Sequence, residues 1–270
     1  MRAIAVLVPG PIDQLTGGYL YARRLVDGLG AQGIAVTVHE LAGNFPDADA
    51  AARDAAEAAL RLLPDGAVAV IDGLALAGFA SCLEAAARHL RLLALVHHPL
   101  AQETGLAADR AAHFAALERR LLPLLAGVIC PSASTAAAVA AYGVPRARIA
   151  IVPPGTRKPI LPRGPARPGR CDILSVGTVT ARKGHRVLIE ALARIRDRAW
   201  RLCIVGSLAR DRAEVAALRT AIATHGLAER VTLAGEWPQA RLDEAYASAD
   251  LFALASFHEG YGMAFAEALA

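Results

Sequence analysis

Short, wholly aliphatic runs recur along this chain, and each is followed by a longer stretch with helical spacing. Ile4–Val8 (IAVLV) is the first such run. A run that is apolar on both faces must be covered on both faces, which is the condition of a strand inside a parallel sheet. Strands alternating with helices in this way predict parallel α/β architecture. The spacing places further strands at Ala35–Glu40, Ala67–Ile71, Leu92–Val96, Gly127–Cys130 and Ile149–Val152. Helices are expected at Tyr19–Gly30, Asp49–Leu63, Ser81–His89, Ala107–Leu122 and Ser134–Tyr142. Pro153-Pro154-Gly155 then breaks the pattern, and the Pro-, Gly- and Arg-rich stretch from Arg157 to Arg170 has no hydrophobic period, as a linker does. The alternation restarts with strands at Asp172–Val176, Arg201–Val205, Val231–Ala234 and Leu251–Ala255, separated by helices at His185–Arg194, Glu214–His225 and Leu242–Ser248. The reading is two doubly wound domains, residues 1–156 and 172–270, joined by a linker at 157–171. A last helix opens near Gly262 and the sequence stops inside it. A doubly wound sheet usually has five or six strands, so the second domain is expected to be incomplete and the chain a fragment of a longer protein.

The 270 residues are 55% hydrophobic and 20% charged, which excludes a disordered chain. Lys and Arg total 29 against 25 for Asp and Glu, a net charge of +4 spread over Ala-rich helices. That spread matches solvated helix faces and excludes a nucleic-acid binder, whose charge is clustered. Cys82, Cys130, Cys171 and Cys203 are widely separated and form no C-x-x-C pair, so neither a zinc site nor a disulfide framework is expected. The apolar run at the N-terminus is too short for a signal peptide, and no stretch reaches membrane-spanning length. A cytoplasmic protein is expected. Arg110, Arg119 and Arg120 on the Ala107–Leu122 helix are compatible with peripheral contact at the inner face of a membrane, although an ordinary surface helix is the weightier reading.

Four segments carry candidate chemistry. His258-Glu259-Gly260-Tyr261-Gly262-Met263-Ala264-Phe265-Ala266-Glu267 follows a buried strand and opens a helix. Its glycines permit close backbone approach to a ligand, the helix start favours an anion, and two carboxylates flank that start. Gly177-Thr178-Val179-Thr180-Ala181-Arg182-Lys183-Gly184 puts two cations before a helix, where the local dipole opposes them unless an anion binds. Arg beside Lys suits a diphosphate. His97-His98-Pro99 ends a strand at the edge where open α/β sheets place ligands. One of the two histidines touching a ligand hydroxyl and a structural histidine are both open, whereas a metal pair is disfavoured because adjacent side chains diverge. Thr16-Gly17-Gly18-Tyr19, after the first strand, either approaches a ligand or makes a turn. No G-x-G-x-x-G, G-x-S-x-G or P-loop order is present, which argues against conventional dinucleotide binding, a serine hydrolase and a Walker-type NTPase.

Taken together, these segments resemble glycosyltransferase family 4, with the GT-B fold. The resemblance rests on Gly17-Gly18, His97, Val152-Pro153-Pro154-Gly155, Ser175-Val176-Gly177 with Arg182-Lys183-Gly184, and above all on Glu259 and Glu267. It implies two tandem Rossmann-like domains facing a cleft, and transfer of a sugar from a nucleotide-diphosphate sugar with retention of configuration. The resemblance also implies that no metal or other cofactor is required, the nucleotide sugar being a co-substrate. Arg182 and Lys183 would hold the diphosphate. Gly260, Tyr261, Gly262, Met263 and Ala264 would meet sugar and phosphate, and Glu267 the ribose. His97 and Glu259 would be the catalytic pair at the donor sugar, and Gly17 and Gly18 would form a phosphate or acceptor loop. The acceptor is an unidentified sugar, lipid or small molecule. The alternative function is a non-catalytic nucleotide-sugar binding module, or an inactive fragment of such an enzyme.

Overall fold

The computed structural model describes residues 3–156 and 169–270. Contacts divide the chain into two units, Met1–Gly155 and Thr156–Ala270. In the first, β1 (Ile4–Pro9), α1 (Gly17–Ala31), β2 (Val36–Leu41), α2 (Ala50–Arg61), β3 (Val68–Asp72) and α3 (Leu83–Ala86) follow one another. The unit continues with β4 (Arg91–Leu95), α4 (Ala108–Leu121), β5 (Gly127–Cys130), α5 (Ala133–Ala140) and β6 (Ile149–Ile151). Its six strands are all parallel, in the order β2-β1-β3-β4-β5-β6. In the second unit, β7 (Cys171–Val176), α6 (His185–Ala193), β8 (Trp200–Val205) and α7 (Arg212–Thr224) are followed by β9 (Val231–Gly235), α8 (Gln239–Ser248), β10 (Leu251–Phe252) and α9 (Met263–Leu269). This sheet is also parallel, in the order β10-β7-β8-β9.

Local chemistry explains most of these boundaries. Asp49 caps α2 by accepting the Ala52 amide at 2.8 Å, and Ser132 and Asp211 do the same for α5 and α7. Helix α2 then buries Ala52, Ala56, Ala59 and Leu60, a stripe at helical spacing. The first core gathers Leu7, Ile71, Phe79, Leu83, Leu92 and Leu122, each under 2% exposed. The second centres on Ile189, Trp200, Ile204 and Leu218. Burying one such side chain contributes about 1.5–3 kcal/mol. All four cysteines are unpaired thiols. Among the described residues no helix is long and apolar enough to cross a membrane.

Several sequence expectations need correction. The helix expected at Ser81–His89 is a single turn, because a 3₁₀ run over Gly73–Phe79 takes up the chain before it. Asp72 starts that run by accepting the Leu74 amide at 2.8 Å. The strand expected at Leu251–Ala255 pairs only through Leu251 and Phe252. Gly17 and Gly18 are not loop residues: extended Thr16 caps α1, its carbonyl accepts the Leu20 amide at 2.9 Å, and the glycines form the first turn. Cys171, expected in the linker, opens β7 in register with Trp200. Residues 157–168 of that linker lie outside the described residues.

Strand order determines where ligands can approach. From β1 the chain steps to β2 on one side and then to β3 on the other. From β7 it runs outward through β8 and β9, then returns to place β10 on β7's other flank. Each sheet therefore has a switch point, at β1/β3 and at β7/β10, and the crevice beyond the carboxyl ends of strands at such a point is where open α/β sheets bind ligands.

Candidate functional site

The β7/β10 switch point brings together two segments 76 residues apart. After β7 the chain makes a 3₁₀ turn over Ala181–Lys183 and enters α6 through Gly184, at φ +62°. A Cβ on Gly184 would lie 2.0 Å from the Ala255 carbonyl oxygen, so glycine is what lets the segment after β10 lie against this turn. The Phe257 amide donates to the Arg182 carbonyl at 2.9 Å, and the Arg182 guanidinium donates to the His258 carbonyl at 2.9 Å. Lys183 Nζ donates to Glu259 Oε1 at 2.6 Å, and Ser256 donates to the same oxygen at 2.6 Å. Arg182 stands 3.8 Å from Glu259 Oε2. Gly177 makes room for the Lys183 stem, since a Cβ there would come within 3.3 Å of it.

The sequence pattern calls for an anion at this turn, and the structure supplies one in Glu259. Burial would raise the Glu259 carboxyl; the Lys183 charge, the bonds from Lys183 and Ser256 and the Arg182 charge outweigh it and hold the group below its ordinary value. His185, the next residue but one after Lys183, is fully buried, and neither ring nitrogen has a hydrogen-bond partner among the described residues. Burial and then the Lys183 charge push it down to about 4, so it stays neutral at physiological pH.

Gly260 and Tyr261 continue the loop, and Gly262, at φ +85°, caps α9, whose first residues are Met263 and Ala264. Glu267 lies further along α9. Tyr246 on α8 donates to its Oε2 at 3.3 Å and approaches the Ala264 carbonyl at 3.4 Å. The Tyr246, Phe252 and Phe265 rings pack in sequence, with centroids 5.8 and 5.2 Å apart, and fasten α9 to α8 and β10. Burial first, and then the Glu267 charge, push the Tyr246 phenol upward, so it remains a hydrogen-bond donor. Tyr246 escaped the sequence reading because nothing in its own helix marks it.

In the first unit, His97 lies just beyond β4. Its Nε2 is 3.1 Å from Asp72 Oδ2, at the end of neighbouring β3. Thr135 donates to the His97 carbonyl at 3.3 Å, and the Tyr21 ring meets the imidazole edge-on at 5.9 Å. A Cβ on Gly18 would fall 3.1 Å from His97 Cδ2, so the glycine lets α1 pack against the imidazole. Asp72 was missed as a partner, although a signal existed: it is the one charged residue at the end of an otherwise aliphatic strand. His98 Nε2 lies 2.9 Å from Glu103 Oε2, so each adjacent histidine has its own carboxylate. Among the described residues no group of three or more His, Cys, Asp or Glu is gathered as metal ligands would be.

Comparison with known proteins bears on the family and the fold. Residues 16–157 match the family model Glycosyltransferase Family 4, and residues 158–270 match Glycosyl transferases group 1. A D-inositol 3-phosphate glycosyltransferase of Nocardia farcinica is 37% identical over 143 residues, which is 48% of this chain and 32% of that protein. The chain thus aligns with about a third of that relative's length. The crystal structure of sucrose-phosphate synthase from Thermosynechococcus elongatus superposes with a TM-score of 0.77 at 18% identity, over 100% of this chain and 79% of the other. Anabaena HepE, crystallised with UDP and glucose, gives 0.68 at 18% identity, over 100% and 78%. At such identity these structures speak to the fold alone. With residues 16–270 matched by the two family models in succession, the chain belongs to glycosyltransferase family 4, and each of its units supplies one Rossmann-like half of the GT-B fold.

Proposed function

We propose that the chain transfers a sugar from a nucleotide-diphosphate sugar to an acceptor hydroxyl, with retention of configuration. The observation that carries the proposal is the Arg182, Lys183 and Glu259 cluster at the β7/β10 switch point. When the bond from the anomeric carbon to the diphosphate breaks, negative charge grows on the departing phosphate. A guanidinium and an ammonium, 17% and 14% exposed, already stand where strands give way to helix. Charge stabilisation by groups oriented in advance is usually the largest single contribution to such a reaction. Glu259 holds Lys183 in place, and its carboxylate suits donor-sugar hydroxyls. The backbone from Gly260 to Ala264 meets sugar and phosphate, and Glu267, held by Tyr246, takes the ribose. His97, oriented by Asp72, contacts the donor sugar, with Gly18 beside it. No metal is needed, because the Arg–Lys pair supplies the positive charge. The relatives crystallised with UDP and UDP-glucose support a nucleotide-sugar donor.

The test is a thermal-shift comparison of UDP, GDP and ADP, with and without EDTA. A ligand that binds only the folded state at about a hundred times its Kd adds about 2.7 kcal/mol. One of the three should raise the melting temperature, equally in EDTA, and so name the base. Absence of any shift with all three overturns the proposal.

A further inference from the structure

Among the described residues, Glu118 is the most buried carboxyl that the proposed reaction leaves unused. Glu118 lies on α4 and is 2% exposed, in a unit whose other interior groups are almost all apolar. Its Oε1 accepts the Leu100 amide at 2.9 Å, and its Oε2 is buried with no hydrogen-bond partner among the described residues. The Leu100 amide opens the 3₁₀ turn Leu100–Gln102, and the residue before it is Pro99, whose side chain offers no cap. The carboxyl that satisfies this amide comes from 18 residues further on. A leucine or methionine would fill the same volume without the desolvation that an acid requires, so packing alone gives no reason for a carboxyl. The turn it grips joins the two histidine pairs: His97 with Asp72 precedes it, and His98 with Glu103 closes across it.

We propose that Glu118 is a positioning residue: by bonding the Leu100 amide it holds the turn after β4, and through it His97, in the geometry that meets Asp72. The consequence for turnover rests on the reading of His97 as a donor contact; the positioning itself does not. Burial pushes the Glu118 carboxyl up to about 7, against the pull of the Leu100 and Ala101 amides. A protonated carboxyl keeps an acceptor oxygen, so both forms can hold the turn.

The experiment compares wild type, Glu118→Gln and Glu118→Leu without substrate, by amide hydrogen exchange and by the NMR signals of the His97 ring. Gln keeps an acceptor where Oε1 lies; Leu removes it. In the Leu variant, exchange at Leu100–Glu103 should quicken by about tenfold or more, as expected for a lost bond to a charged group. The His97 ring signals should shift while amides in β4 stay protected, and Gln should restore both. Unmoved His97 signals in the Leu variant, or equal acceleration throughout β4, overturn the proposal. If the Leu variant does not fold, Glu118→Ala is read in the same way. If only Gln folds, the residue is merely structural and the proposal fails. Because no substrate is present, this failure differs from failure of the donor assignment, which appears as wild type unmoved by all three nucleotides.

Discussion

Glu118 in the first unit and Glu259 in the second are both carboxyls largely withdrawn from water, and their surroundings drive them apart. Around Glu118 there are two backbone amides and an aliphatic core, so burial prevails and the group rises to about 7. Around Glu259 burial acts in the same sense, yet an ammonium 2.6 Å away, a serine hydroxyl and a guanidinium reverse the outcome. The residue type is the same; the partner decides whether the carboxyl titrates near neutral pH or below its ordinary range. Environments that split like groups in this way assign them different tasks. The first unit uses its acid to hold a turn, and the second uses its acid to keep two cations in place.

The largest expected effect comes from removing the partner that sets Glu259 apart. Lys183→Ala should lower turnover with the stabilising nucleotide sugar by about 10²–10³. The fold should persist by circular dichroism, and the Glu259 carboxyl should titrate higher than in wild type. Near-normal turnover would discard the role of Lys183.

A smaller effect separates the two acids by pH. The folded state raises the Glu118 pKa, so that group's contribution to stability is present below about 4.5 and is lost as pH rises through about 7. Urea unfolding of wild type and Glu118→Gln should therefore shift in favour of Gln across that window, by on the order of 1–3 kcal/mol. Tyr142, raised by burial and by the Glu118 charge and steadied by Arg119, is the neighbour that feels the same titration. Glu259, being depressed, acts in the opposite sense: its contribution is present above the ordinary carboxylate range and is lost as pH falls through its lower value. Glu259→Gln should accordingly lose ground to wild type at neutral pH and recover in acid. Parallel pH profiles for the two variants would erase the contrast.

The smallest effect is expected at the histidine of the first unit. On the proposed reading of His97 as a donor contact, His97→Ala should cost about five- to tenfold in donor use. Unchanged kinetics would move that role to His98 or to neither.

Much of the architecture was legible along the chain, because strand burial, helical spacing and capping depend on near neighbours. Ile4–Val8 had to be an inner strand, and the Ala-rich spacing from Asp49 onward marked the second helix. The errors arose where local preference was outvoted. Gly17 and Gly18 read as loop residues, either approaching a ligand or making a turn, but are helical, because Thr16 closes the first turn behind them. Gly73 and Gly78 concealed a 3₁₀ run that Asp72 initiates. Arg182, Lys183, Glu259, Glu267 and His97 were recognisable as reactive types after buried strands.

What those groups touch was another matter. Lys183 meets Glu259 from 76 residues away, His97 meets Asp72 from 25, and Leu100 meets Glu118 from 18. Periodicity carries no record of such distances. Parallel strands are joined by crossovers, so the residues that share a strand edge are set by sheet order, and sheet order emerges only when the chain packs. Composition and spacing sufficed for two wound sheets and a set of candidate acids and cations. The folded sheets alone decided which acid is raised by burial, which is lowered by its cations, and which backbone or side-chain group each one holds.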